Sequence, residues 1–128
     1  MDITRNEPSA RRFWSWFIPL RRDIGYWAFA LNRITALGLT LYLFLHLIIL
    51  GKLAQGPGAY DEFLVLTENP FIKLGEWAVV AAAILHGLNG IRVILTSFGV
   101  GVTRQKQLFY GLMAIALILI LIFTARMY

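Results

Sequence analysis

The sequence has 128 residues, of which 59% are apolar and 15% are charged, and its formal net charge is +5. Soluble domains carry about 25% charged and about 45–50% apolar residues. The chain has too few polar groups to cover its apolar surface, so this composition excludes a water-soluble enzyme. The high apolar content and low charge also exclude intrinsic disorder. The sequence has no cysteine, which rules out disulfides and iron–sulfur ligation by this chain.

Residues 1–25 are predicted to form a cytoplasmic segment that contains a short amphipathic helix lying on the membrane surface. Arg11 and Arg12 stand directly before Trp14 and Trp16, among other aromatic residues. Tryptophan beside arginine is typical of the membrane interface. The basic charge therefore indicates lipid head groups as the partner, and no nucleic acid is expected. A docking surface for a cytoplasmic protein remains an alternative that is compatible with this helix.

Three apolar runs follow, at residues 26–50, 71–95 and 108–125, and together they form a predicted transmembrane domain over residues 26–128. Each run approaches or exceeds the ~20 residues that cross ~30 Å of hydrocarbon. Because no water satisfies the backbone inside a bilayer, each run is predicted to be a helix. The fold class is therefore an all-α membrane protein with three transmembrane helices.

The distribution of lysine and arginine predicts the orientation of these helices. Five arginines precede the first run, whereas the 51–69 loop holds one lysine against three acidic residues. The 96–107 loop again holds Arg104 and Lys106. The positive-inside bias therefore predicts a multi-pass protein of the cytoplasmic (inner) membrane, with the N-terminus cytoplasmic and the C-terminus outside. Glycine and proline at 55–58 predict a turn in the outer loop, and Asn69-Pro70 predicts the start of the second helix.

The two histidines of the chain, His46 and His86, both lie inside predicted spans. Each of them either bonds a neighbouring helix or ligates haem iron, and the surroundings must decide. Gly90 lies one helical turn from His86 and leaves room for a porphyrin plane. Arg92 lies deeper toward the cytoplasm, where it could pair with haem propionates. These neighbours favour ligation at His86, whereas both interpretations stay open for His46.

The depths of the two histidines differ by roughly 15 Å along the membrane normal. His46 lies close to the outer end of the first run, and His86 lies near the inner end of the second. Two axial ligands of one iron must face each other across a few ångströms. If both histidines ligate, they therefore serve two different haems, and each haem takes its second imidazole from another chain.

Two segments carry a resemblance to a known family. Residues 32–36 read Asn-Arg-Ile-Thr-Ala, which is similar to His-Arg-Ile/Val-Ser/Thr-Gly, and residues 86–92 match His-x-x-x-Gly-Ile/Leu-Arg. With its three spans, the chain resembles the cytochrome b membrane anchor of succinate dehydrogenase and fumarate reductase (respiratory complex II). The resemblance implies an electron-transfer subunit that binds one or two haem b groups, with quinone as electron acceptor. It also implies a flavoprotein subunit, an iron–sulfur subunit and a second membrane anchor that supplies the opposing axial histidine.

The chain departs from the family pattern at several positions near the expected quinone site. Asn32 stands in place of a histidine, and Phe29 stands where some members carry a quinone-contacting serine. Quinone contacts therefore transfer by resemblance only to Arg33 and Thr35. The ligand role transfers to His86, and His46 occupies the position of the first-span ligand in members with two haems.

The inner end of the first span nevertheless has the composition of a quinone pocket. Aromatic walls with a few polar groups suit a lipophilic ring that carries carbonyl oxygens. The predicted quinone-site residues are Trp27, Phe29, Asn32, Arg33 and Thr35. In the alternative, Arg33 reaches lipid phosphates and the aromatic residues belong to the interfacial belt.

Two rival functions belong to other classes. A small transporter or channel subunit would need a carboxylate at mid-membrane depth, and this chain offers only Glu76, near one end of a span. A purely structural, haem-free anchor would use both histidines for packing alone. An absorption spectrum separates these alternatives, because only a haem protein has a Soret band.

Overall fold

The computed structural model describes residues 23–127, which form four α-helices. Their bounds are α1 Ile24–Leu53, α2 Pro57–Thr67, α3 Pro70–Ser97 and α4 Gln105–Met127. A 3₁₀ turn, Val102–Arg104, leads directly into α4. No strand occurs within this part of the chain. The predicted interfacial helix and its alternative docking surface lie outside the described residues.

The three predicted spans fall inside α1, α3 and α4, each of which is long and apolar enough to cross a membrane. The all-α fold with three spans is thereby confirmed. The start of α3 also follows the prediction, because the Asn69 Oδ1 accepts a hydrogen bond from the backbone N–H of Phe71 at 2.9 Å and Pro70 occupies the first helical turn.

The 51–69 segment differs from the prediction of a loop. A turn ends α1 near Gly56, and the chain then forms the 11-residue helix α2. Pro57 begins this helix at a position where its missing N–H costs nothing. The helix contacts both α1 and α3 and has no buried residue among its own side chains. Its turn-forming and acidic residues are also typical of a loop, so the sequence did not predict this helix.

Helix α3 is the central element, and it packs against α1 on one side and α4 on the other. Few side chains are buried in the described part of the chain: Ala28, Thr35, Ala81, Asn89 and Ala116. Most large apolar side chains point outward, as with Leu37, which is 72% exposed. Small residues at helix contacts let backbones approach closely, which is how membrane helices associate.

Contact between α3 and α4 includes one hydrogen bond between side chains. The Trp77 Nε1–H donates to the Thr124 Oγ1 at 2.8 Å, and that hydroxyl donates in turn to the Ile120 carbonyl at 2.7 Å. The turn between these helices needs glycine, because Gly99 and Gly101 have φ angles of +80° and +73°.

Candidate functional site

At one level of the α1–α3 contact, polar side chains and the backbone carbonyls of Ala28 and Asn32 form hydrogen bonds. We call this region the polar contact. Its residues are Ala28, Asn32 and Thr35 of α1 with His86, Asn89 and Arg92 of α3. Successive residues of the set are three or four positions apart, which brings His86 and Asn89 to the side of α3 that faces α1, whereas Arg92 lies next to Asn89 and toward Phe109 of α4. The polar contact therefore joins both segments that carried the family resemblance.

The bonding of His86 fixes which ring nitrogen carries the proton. Its Nδ1 lies 3.2 Å from the backbone carbonyl oxygen of Asn32 and 3.2 Å from the Thr35 Oγ1. A carbonyl oxygen only accepts, and the Thr35 hydroxyl already donates to the Leu31 carbonyl at 2.7 Å. The neutral ring therefore carries its proton on Nδ1 and a lone pair on Nε2.

The free side of the His86 ring matches what a metal ligand needs. Its Nε2 has no hydrogen-bond partner among residues 23–127. Gly90 follows one turn later, and a Cβ built there would meet nothing within 4 Å. The donor set fits a haem, since a ligating histidine almost always donates its other N–H to a carbonyl, a carboxylate or water.

Asn89 connects the two helices next to His86. Its side chain is 1% exposed, its Nδ2 donates to the Ala28 carbonyl at 2.9 Å, and its Oδ1 accepts from the Arg92 Nε at 3.0 Å. The Arg92 guanidinium also lies 5.8 Å from the centre of the Phe109 ring. Asn89 had no predicted role, although an asparagine inside a span needs bonding partners.

The Asn32 side chain presents a different situation. Its Oδ1 is buried and has no hydrogen-bond partner among the described residues. A buried acceptor without a donor costs about 1–3 kcal/mol. The oxygen is therefore available to a donor supplied from elsewhere, such as a bound hydroxyl group.

The five predicted quinone-site residues do not form one cluster within residues 23–127. Asn32 and Thr35 belong to the polar contact, whereas the Arg33 guanidinium lies 4.6 Å from the centre of the Phe29 ring. The side chains of Arg33, Phe29 and Trp27 are all exposed. Because Trp27 and Phe29 are two positions apart, they lie on nearly opposite sides of α1.

His46 lies beside a cavity of about 500 Å³ between α1, α2 and α3. Its Nδ1 is 3.3 Å from the Tyr42 hydroxyl, and the two rings stack with centres 5.4 Å apart. Either group can donate in this pair, so the bond does not fix the tautomer. The polar residues of the cavity wall include Tyr60 and Glu76, and most of the rest are apolar.

The structure separates the two histidines along the bundle. Thr35 bonds His86, and His46 lies 11 positions further along α1, which is about 16 Å. One iron cannot contact both rings at that separation. Among residues 23–127 there is also no cluster of three or more histidine, cysteine or acidic side chains that could hold a metal ion by itself.

Comparisons with known proteins identify the family of this chain. The family described as succinate dehydrogenase/fumarate reductase transmembrane subunit matches residues 5–125. The chain is similar to "succinate dehydrogenase 2 membrane subunit SdhC" of Mycobacterium tuberculosis, with 31% identity over 102 residues, 80% of this chain and 75% of the relative. It is also similar to "succinate dehydrogenase hydrophobic membrane anchor subunit" of Halobacterium salinarum, with 35% identity over 88 residues, 68% of either chain. The chain therefore belongs to the succinate dehydrogenase/fumarate reductase transmembrane subunit family, as a multi-pass membrane anchor subunit of a complex with further subunits.

Proposed function

We propose that this anchor subunit holds haem b through the Nε2 of His86 and carries electrons from succinate toward quinone. The observation that carries the proposal is the bonding of the His86 Nδ1 to the Asn32 carbonyl, which leaves the Nε2 lone pair to an iron. The second membrane-anchor subunit would supply a further imidazole to the same haem. An iron–sulfur subunit and a flavoprotein subunit would complete the complex.

The chain's own residues would perform four tasks at this site. His86 ligates, Thr35 and the Asn32 carbonyl hold the imidazole ring in place, and Gly90 leaves space beside the ligand. The backbone of Arg92 lies about 9 Å further along α3 than that of His86, and its guanidinium can pair with a haem carboxylate. When bound, haem supplies a one-electron carrier within the membrane.

A second haem at His46 is part of the same proposal. The cavity beside this histidine has about 500 Å³, a mostly apolar wall and an aromatic neighbour in Tyr42. Its separation of about 16 Å from the polar contact requires a separate iron. As at His86, the opposing ligand would come from another chain.

Quinone would bind at the N-terminal end of α1, beside the exposed Arg33 and Phe29. The guanidinium can stabilise negative charge that develops on a quinone oxygen during reduction. The unpartnered Asn32 Oδ1 can accept a hydrogen bond from a quinol hydroxyl. Thr35 and Trp27 face other sides of α1, so Arg33 and Phe29 would form only part of the site, and a neighbouring subunit would supply the rest.

The orientation follows from the charge distribution. The N-terminus and the α3–α4 turn, which hold most of the lysine and arginine, would face the cytoplasm. The cytoplasmic (inner) membrane is the corresponding location. In this orientation the polar contact lies in the half of the bundle nearer the soluble subunits, and His46 lies nearer the outside.

The deciding experiment is an absorption spectrum of the purified complex that carries His86→Ala. We expect the loss of one low-spin b-type haem band on reduction with succinate. The matched variant His46→Ala should retain this band and remove a second haem. Addition of imidazole to the His86→Gly complex should restore the low-spin spectrum, which separates ligation from a folding defect.

Unchanged haem content in the His86→Ala complex would contradict the assignment of this ligand. A wild-type complex without any Soret band would instead support the haem-free anchor.

A further inference from the structure

Asn89 is the largest fully buried side chain in the described part of the chain, and the proposed function gives it no task. The orientation of its amide is determined by its partners. The Ala28 carbonyl only accepts, and the Arg92 Nε–H only donates. Nδ2 must therefore point to α1 and Oδ1 to Arg92, with no alternative pairing of equal quality.

This bonding restricts the Arg92 side chain, which would otherwise sample many rotamers. Its Nε–H is bound to a buried oxygen, and the guanidinium lies near the Phe109 ring. No carboxylate among residues 23–127 forms an ion pair with Arg92. With Nε engaged, the two terminal nitrogens, which can bind a carboxylate in a bidentate manner, are left for another molecule.

We propose that Asn89 is a positioning residue, which holds the Arg92 guanidinium in place for a two-oxygen anion. This inference rests on the proposed function, under which the anion is a carboxylate of the haem bound through His86. The residues His86, Asn89 and Arg92 follow one another at three-residue intervals along α3, so the amide stands between the ligand and the cation. Asn89 acts on the haem only through Arg92.

The test compares the haem midpoint potential in four purified complexes: wild type, Asn89→Leu, Arg92→Gln and the double variant. Removal of a nearby positive charge stabilises the oxidised haem, so Arg92→Gln should lower the potential. Asn89→Leu, which keeps the branched shape of the side chain but removes its polar atoms, should lower it by a smaller amount. The double variant should equal Arg92→Gln, because the amide has no effect once the guanidinium is absent.

A second measurement reads the Asn89–Arg92 bond without reference to haem. In the ¹⁵N-arginine-labelled complex, the Arg92 Nε–H is assigned by its disappearance in Arg92→Gln. Loss of its buried acceptor in Asn89→Leu should accelerate hydrogen–deuterium exchange by about tenfold or more. Asn89→Ser, which is too short to bridge both partners, should behave in the same way and serves if the leucine variant does not assemble.

An equal shift of potential by Asn89→Leu in the wild-type and Arg92→Gln backgrounds would overturn the inference, as would unchanged exchange of the Nε–H. An unchanged potential in Arg92→Gln would also overturn it and would assign the guanidinium to a lipid phosphate. Failure of the proposed function has a separate signature, since it leaves the haem content of the His86→Ala complex unchanged.

Discussion

The polar contact and the cavity beside His46 are built differently, although each has a histidine at its centre. In the polar contact, α1 and α3 are close enough for hydrogen bonds to cross between them, and Ala28 and Asn89 are almost fully buried. At the cavity, the helices leave about 500 Å³ of space, and the His46 ring bonds only within α1. The hydrogen bonds of His86 determine its tautomer, and the hydrogen bond of His46 is compatible with either tautomer.

The difference shows what fixes a side chain inside a membrane. A backbone carbonyl from the neighbouring helix can only accept, so it determines the protonated nitrogen of His86. The Tyr42 hydroxyl can donate or accept, so it leaves His46 undetermined. The polar contact therefore fixes the arrangement of its histidine ring, whereas the contacts at the cavity leave that of His46 open.

A larger side chain where α1 and α3 pack closely should have the largest effect on stability. Ala28→Leu should destabilise the bundle by about 3 kcal/mol, because Ala28 is fully buried against α3 and the added atoms have no space. The same substitution at the exposed Ala78 of α3 is the control and should cost within about 0.5 kcal/mol. Thermal unfolding of the purified complexes measures both. Equal destabilisation would contradict the close packing at Ala28.

The fixed tautomer of His86 gives an intermediate effect. Thr35→Val should weaken haem retention by about tenfold, since one of two groups that hold the ring is lost while the Asn32 carbonyl remains. Tyr42→Phe is the matched control, because it removes the hydroxyl beside the other histidine and should leave the haem at His86 unaffected. Transfer of haem to excess apomyoglobin measures the loss. Faster haem loss in Tyr42→Phe than in Thr35→Val would contradict the role of Thr35 in holding the His86 ring.

The smallest effect is expected at the α3–α4 contact, where one side-chain hydrogen bond stands alone. Trp77→Phe removes the indole donor, and the coupling energy of this bond should be about 0.6 kcal/mol, the average for such bonds between membrane helices. A double-mutant cycle with Thr124→Val isolates the pair and excludes the loss of ring volume. A coupling energy near zero would show that the bond contributes nothing to stability.

The sequence was sufficient to predict the three spans, because long apolar runs in a bilayer have one backbone solution. It also predicted the depth difference between the two histidines, since helical rise converts residue number into distance. The helix α2 was missed because its 11 residues start with proline and glycine and include acids, a composition that also fits a loop. Only the contacts of this segment with α1 and α3 distinguish a helix from a loop here.

The side-chain bonds of the polar contact depended on information that no single helix contains. The position of Asn89 marks it as costly in a membrane, but its partner Ala28 is 61 positions away and contributes a backbone oxygen. Helical periodicity likewise placed Asn32 and Thr35 on one face but did not predict that this face meets His86. The expected quinone residues were identified by composition, which does not distinguish the faces of α1 that carry Trp27 and Phe29.

The lone oxygen of Asn32 has a consequence for the biogenesis of the complex. An acceptor that is buried without a donor lowers the stability of the chain by about 1–3 kcal/mol until some group outside residues 23–127 provides a hydrogen. A newly inserted copy that never meets such a group would remain correspondingly easier to open and to degrade.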